Sequence, residues 1–383
     1  MRPVLARSLA PLLLIVALVI AGCSSAPERI LGVNALAVPV ASVQGATEHT
    51  ILVATTRKRA SDPTVFLTGE RSGLGFASTA VSVPPSHQPG QIERPSRGAP
   101  DPREHFMVTN ALYLDGAGSF QSAVNRELAK RPESQQRVLI FVHGFNTDFT
   151  EALLRITQFV HDTGFTGVPV LFSWASRGEV SAYLYDLNST YVARDGLEQL
   201  GGILGQTDTR IFDVVSHSMG NYLVLETMRQ LHLQGQWRDS NRIGSIILAS
   251  PDVDLDVFQS QWQRINANRD KFFILISEDD RALRLSRRLA GGVSRVGNAD
   301  PDVLAAMGFN VIDLTKVDDR SSDHHSKFAN APEIVQLIGV RLAQGDSLAA
   351  ETPQTAVTAA SILPNLDIRG VRDGAVVTVG GDR

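Results

Sequence analysis

A single cysteine among 383 residues rules out any internal disulfide. Positive charge is also not in excess: 36 Lys and Arg stand against 40 Asp and Glu, a net charge of −4. Proteins that bind the phosphate backbone do so by neutralising it, so nucleic acid is set aside as a partner. There is no apolar run of membrane-spanning length; Leu9 to Ile20 falls short of the roughly 20 residues that a transmembrane helix needs. Internal repeats are absent too. What is left, a long chain of ordinary apolar content, suits one large α/β domain with additions, or two smaller domains.

The N-terminus carries its own signal. Arg2 and Arg7 precede the Leu9–Ile20 run, and Ile20-Ala21-Gly22-Cys23 follows it. This pattern resembles a bacterial lipobox, in which the cysteine thiol is lipidated and the segment before it is removed. Residues 1–22 are expected to be a lipoprotein signal peptide, and Cys23 the site of a lipid anchor holding the protein to a membrane. Ser24 in place of Asp resembles the pattern of lipoproteins sent to the outer membrane, here facing the periplasm. Residues 23–49, small and polar-poor, read as a tether.

β-type runs follow at 51–56, 76–83 and 106–113, with a proline-rich loop at 84–104. Residues 50–115 are expected to form a β-rich extension packed on the main domain. From about 119, helical patterns at 119–130, 150–160 and 176–206 alternate with apolar strands at 138–142, 168–174 and 211–215. Further strands are expected at 245–248, 272–276 and 310–314, and a closing helix at 332–342, with Pro332 near its start. Such alternation indicates a mostly parallel sheet with helices on both faces, here over residues 116–345. Residues 346–383 are rich in Thr, Ala and Gly and read as a disordered or loosely attached tail, with one β-like patch at 374–379.

The strand at 211–215 runs into Ser216-His217-Ser218-Met219-Gly220, and a helical pattern begins there. This is the layout of a nucleophile elbow. The turn is too tight for bulky side chains two residues before or after the nucleophile, and Ser216 and Gly220 are small. Serine needs an adjacent base, itself oriented by an acid. Side chains that act in such sheets gather at the carboxyl ends of strands. After the strand at 272–276 comes Asp279-Asp280, and after the last strand comes His324-His325. The order Ser, acid, His is that of α/β hydrolases. Asp280 is the preferred acid, with Asp279 and Asp252 as competitors; His325 is the preferred base, with His324 as competitor. His217 lies too close to the nucleophile on a tight turn to serve as base. The oxyanion of an acyl-transfer intermediate needs backbone N–H donors. Met219, just after Ser218, and Phe145, in the loop after the 138–142 strand, are the expected pair. Asp252-Val253-Asp254-Leu255-Asp256 resembles a calcium loop, but Val257 stands where the turn needs Gly and Gln263 where it needs Glu, so no metal is expected. No cofactor is expected either. Trp174 suits an acyl pocket or the core equally, and the basic stretch 281–288 suits an anionic surface or a solvated helix face.

Several of these motifs recur together. His143-Gly144-Phe145-Asn146, Phe172-Ser173-Trp174, Tyr185-Asp186, the Ser216–Gly220 elbow, Asp280-Arg281-Ala282-Leu283 and His325-Ser326 are similar to the bacterial DUF900 α/β hydrolases. Ala54-Thr55-Thr56-Arg57 and Val81-Ser82-Val83-Pro84-Pro85 resemble that family's N-terminal extension. The resemblance spans roughly residues 50–345; Ala175 stands where the family often has Pro. It implies the α/β-hydrolase fold and an esterase- or lipase-like activity without a defined substrate. The expected reaction is cleavage of a small-molecule or lipid carboxylic ester through an acyl-enzyme. An acyltransferase would use the same residues with another acceptor, and a non-catalytic envelope lipoprotein would keep the fold as a binding scaffold.

Overall fold

A computed structural model describes residues 29–33, 39–237, 242–265, 267–319, 324–344, 366–371 and 374–379. Cys23 and the signal segment lie outside these residues. The fold is that of an α/β hydrolase, built on one sheet of 11 strands in the order β10-β11-β9-β8-β7-β6-β4-β5-β1-β2-β3. The centre of the sheet is β4 (Arg137–Val142), β5 (Val168–Ser173), β6 (Ile211–His217), β7 (Ile243–Ala249), β8 (Phe272–Ile276) and β9 (Asn310–Asp313), all parallel. Their apolar runs are continuous because both faces are covered. In β4, Val138, Ile140 and Val142 join one core while Leu139 and Phe141 join the other. This is the two-residue alternation of a strand with no wet side.

Helices supply the two covers. α1 (Gly116–Leu128), α3 (Tyr183–Gly205), α4 (Met219–Leu233) and α5 (Leu255–Trp262) bring Phe120, Leu200, Leu223 and Phe258 to the first core. α2 (Phe149–Thr163) brings Leu153, Ile156 and Phe159 to the second. There it meets Phe328 of α8 (Lys327–Asn330) and Ile334 and Ile338 of α9 (Pro332–Gln344). α2 starts on Asp148, whose carboxylate accepts the Glu151 N–H, and stops at Gly164 in the left-handed region. Two shorter helices, α6 (Arg281–Leu289) and α7 (Pro301–Ala306), follow β8.

Both ends of the chain depart from expectation. The 50–115 segment is β-rich, and its strands join the main sheet itself. Its β1 (Thr47–Arg59) pairs in parallel with β5, and β2 (Leu67–Val83) and β3 (Met107–Leu114) extend the same sheet antiparallel. The tether is partly fixed: Ile30 is buried in the second core, and the Leu31 carbonyl accepts the Val108 N–H at 2.6 Å. The expected loose tail contains β10 (Leu366–Val371) and β11 (Gly374–Val379), a hairpin whose β11 pairs in parallel with β9. Its backbone groups and Val376 and Val379 cover an edge that β9 would otherwise leave unpaired.

Candidate active site

The elbow sits where β6 turns into α4. Ser218 takes φ 52° and ψ −123°, a conformation that costs a non-glycine residue about 1–2 kcal/mol. Surrounding contacts hold it there. The Ser218 N–H donates to the Ala249 carbonyl at 3.0 Å, and the Ser218 carbonyl accepts the N–H groups of Asn221 and Asp252. The Asn221 side chain donates to the Ser218 and Ala249 carbonyls and accepts the Ser216 hydroxyl at 2.6 Å. Ser216 therefore does more than fit where glycine is usual; its hydroxyl fastens the residue that braces the turn. Gly220 is obligatory in its place, since a Cβ there would lie 2.5 Å from the His143 carbonyl oxygen.

The loop after β4 lies directly against the elbow. A Cβ on Gly144 would stand 2.8 Å from the Cβ of Ser218. Neither the Phe145 nor the Met219 amide donates to a protein acceptor among the described residues. Both expected oxyanion donors thus remain available beside a buried hydroxyl. The loop is held from behind by residues to which the sequence reading gave no role. Arg57, at the end of β1, is 2% exposed. Its Nε donates to the Ser173 hydroxyl at 2.8 Å, and its two terminal nitrogens donate to the carbonyls of Ser176 at 2.6 Å and Thr147 at 2.8 Å. One of them also meets His143 Nε2 at 3.3 Å. A guanidinium has only donors, so that nitrogen carries the lone pair, and Nδ1–H donates to the Gly144 carbonyl at 2.9 Å. Burial, with the Arg57 charge adding to it, pulls the His143 pKa down to about 3, so the ring is neutral. Burial also pulls Arg57 down to about 10, against the attraction of Asp148 and Asp186, and it stays charged at neutral pH.

Asp186 completes this side. Its carboxylate, fully buried, accepts the Ser176 hydroxyl at 2.5 Å and the Arg177 N–H at 3.0 Å, and it also accepts the Asn146 N–H. Trp174 does not line a pocket. It is fully buried, stacks on His143 at 5.0 Å, and donates its Nε1–H to the His143 carbonyl at 2.7 Å.

On the other side the structure brings His325 and Asp280 together. His325 Nδ1 donates to Asp280 Oδ2 at 2.7 Å. The other oxygen of Asp280 accepts the Leu283 N–H and caps α6, so one buried carboxylate both starts the helix and orients the imidazole. Asp279 is gripped by Lys327, whose Nζ donates to its two oxygens at 2.8 and 3.0 Å. Burial works against ionisation of Asp279, but Lys327 and Ser277 outweigh it and hold its carboxyl below the usual value. His324 is engaged by Asp319 at 2.6 Å. Asp252 accepts the Ser286 hydroxyl at 2.5 Å and the Tyr183 hydroxyl at 3.3 Å, and pairs with Arg295 at 3.3 Å. His217 serves as a platform: its ring lies 4.7 Å from that of His325, and its Nε2 donates to the His325 carbonyl at 3.2 Å. Burial, then the neighbouring His325, lowers the His217 pKa well below the usual histidine value.

Asp280 and His325 are therefore joined, and the His325 ring lies over His217, the residue next to Ser218. No hydrogen bond joins the Ser218 hydroxyl to His325 among the described residues. The serine–imidazole contact of a working triad tightens when substrate arrives, and it is often long without one.

Over residues 117–341, more than half of the chain, the sequence matches the family described as "Alpha/beta hydrolase of unknown function (DUF900)". No protein of curated function matches it. Among solved structures, an esterase from the archaeon Pyrobaculum calidifontis is 11% identical at a TM-score of 0.32, covering 79% of this chain and 86% of its own. A thermostable esterase from Pseudomonas putida is 13% identical at 0.32, with 81% and 83% covered. Phospholipase PlaB from Legionella pneumophila is 12% identical at 0.30, with 64% and 68% covered. Likeness of this size says nothing of the reaction.

Proposed function

The chain belongs to the DUF900 family of α/β hydrolases, and from that premise we propose that it is a serine hydrolase of carboxylic esters. The observation that carries the reading is the 2.7 Å bond from His325 Nδ1 to Asp280 Oδ2, with His325 seated over the elbow. Asp280 takes the Nδ1–H of the imidazole, which puts the ring's lone pair on Nε2. Ser218 Oγ attacks the ester carbonyl carbon and its proton passes to His325 Nε2. The carbonyl π pair moves onto oxygen, where the Phe145 and Met219 N–H groups stabilise it. Collapse breaks the C–O bond; the leaving alcohol takes the proton from His325, and the acyl group stays on Ser218. Water, deprotonated by His325, then attacks the acyl-enzyme, which releases the acid and restores the serine.

The same proposal extends to location. Lipidation at Cys23 would hold the enzyme to the envelope, on the periplasmic side of the outer membrane, with a small-molecule or lipid ester as substrate.

A fluorophosphonate probe is expected to label the full chain on one serine, and Ser218→Ala to abolish that labelling. Hydrolysis of p-nitrophenyl esters should fall by about 10³-fold or more in Ser218→Ala. Labelling that survives the substitution unchanged would remove Ser218 from the mechanism, and a wild-type chain that neither labels nor hydrolyses any chain length would leave only a binding scaffold.

A further inference from the structure

We propose that the outer face of α6, with the start of α3, seats the protein on an anionic lipid bilayer with the candidate active site at the contact. The proposal rests on the ester-hydrolase reading for its meaning, but not for its test.

α6 begins on Asp280 and packs inward through Leu283 and Ser286. Ser286 hydrogen-bonds the Tyr183 hydroxyl at 3.1 Å and Asp252 at 2.5 Å. Asp252 reaches the Ser218 carbonyl through its own N–H, and the Tyr183 and Phe145 rings pack in a T-shaped contact at 5.2 Å. The inner side of α6 is thus tied directly to the walls of the site.

Its outer side is open. At 100° per residue, Arg281, Arg284, Leu285, Arg288 and Leu289 share one arc, and all five are exposed. Leu285 is 50% and Leu289 63% exposed. Beside the Tyr183–Ser286 contact, Val180 and Leu184 are 62% and 72% exposed at the start of α3. Among the described residues 11 large apolar side chains are exposed, and Val180, Leu184, Leu285, Leu289 and Val293 are five of them. Scattered exposed apolar residues need no explanation; a concentration beside a candidate site does.

Charge identifies the occupant. None of the four arginines of α6 forms an ion pair among the described residues, although the chain as a whole is net negative. Leucines and arginines interleaved on one exposed arc fit a phospholipid surface. The leucines enter the acyl boundary while the arginine stems run up to the phosphates. Arg284 and Arg287 donate only to the carbonyls of Glu278 and Gly292; an apolar groove for a peptide would offer no reason for arginines without carboxylate partners, and a purely ionic partner none for the leucines.

The test places a reporter on the face. In the full chain carrying Leu289→Trp, fluorescence is read against vesicles of phosphatidylcholine with about one-third phosphatidylglycerol, brominated on the acyl chains. The expected result is quenching beyond that of the parent chain, and vesicle affinity at least about tenfold weaker when Arg284→Glu and Arg288→Glu are added. Thermal melting of each variant checks that it remains folded. Unquenched fluorescence on anionic vesicles overturns the proposal and points to a protein partner instead. Quenching that is equal on neutral vesicles, or unchanged by the charge reversal, overturns the role of the arginines. Quenching without any esterase activity leaves the docking face intact and sinks the catalytic reading alone.

Discussion

Arg57 and Lys327 are buried cations, one behind each candidate catalytic loop, and they are satisfied in opposite ways. Arg57 braces the loop that carries Phe145 and takes no carboxylate directly; its partners are two carbonyls at close range, a hydroxyl and a neutral imidazole. Lys327 braces the loop that carries His325 and is clamped on both oxygens of Asp279, with the Leu314 and Thr315 carbonyls behind. The Arg57 site is closed. The Lys327 site opens on one side, since the Asp279 side chain is 34% exposed. The donor side of the site is a dry frame fixed before substrate arrives, whereas the base side is tied by one ion pair at the border of solvent. That difference suits the proposed chemistry. Oxyanion donors act by being preorganised, while the imidazole must exchange protons between serine, leaving group and water.

The largest effect is expected from Arg57→Met. Removing the guanidinium leaves buried acceptors from three segments unsatisfied, a loss of about 3–5 kcal/mol in stability by chemical denaturation. The Phe145 amide should lose its position as well, so kcat falls by about 10–100-fold with KM little changed. Arg57→Lys keeps the charge but not the planar fork and should recover only part. A stable variant with unchanged kcat would show that the loop holds its place without β1. Lys327→Met is expected to cost less, about 1–3 kcal/mol, because Asp279 is able to rehydrate. Here a second change should sharpen the contrast. Adding Asp279→Asn removes the stranded carboxylate and should restore part of the loss in a double-mutant cycle. No single substitution offers Arg57 the same rescue, because no carboxylate partners it directly.

Much of this was legible in the sequence, and its failures have physical reasons. The strands at 138–142 and 272–276 were plain because an apolar run buried on both faces carries its signal in every residue. The elbow was plain because steric limits fall on fixed neighbours of Ser218. Asp279 and Asp280 were indistinguishable as letters. Asp280 caps α6 and meets His325 while Asp279 meets Lys327, a matter of backbone direction. Arg57 was marked only within Ala54–Arg57, the stretch that resembles the family's extension, and its burial was not legible there, since the next residues, Lys58 and Arg59, are exposed. Only the approach of β5 and of the 143–147 loop buries the first of the three, and those contacts are distant in sequence. The hairpin of β10 and β11 was only half seen, as the β-like patch at 374–379, for a similar reason. Its valines are few, and what gives them value is the free edge of β9, which local pattern does not reveal.

The smallest effect concerns acid, and it separates the two sides once more. Burial and Arg57 depress His143 to about 3, against an ordinary value of 6.5. A histidine depressed in the folded state stabilises fully above its unfolded value, and the contribution is lost as pH falls from there through the folded one. Between pH 6.5 and 3, then, only the unfolded chain takes up this proton, and acid favours unfolding without first charging the His143 ring. His143 lies against Trp174, and a protonated imidazole quenches a stacked indole, so Trp174 fluorescence reports on this ring. In the native protein the signal should stay flat through the range in which a catalytic imidazole loses activity. In Arg57→Lys the weaker hold on the loop should admit water and ease the burial that dominates the depression, moving the titration upward. If the Trp174 signal instead titrated with activity in the native protein, the donor side would be as wet as the base side, and the contrast between the two cations would lose its ground.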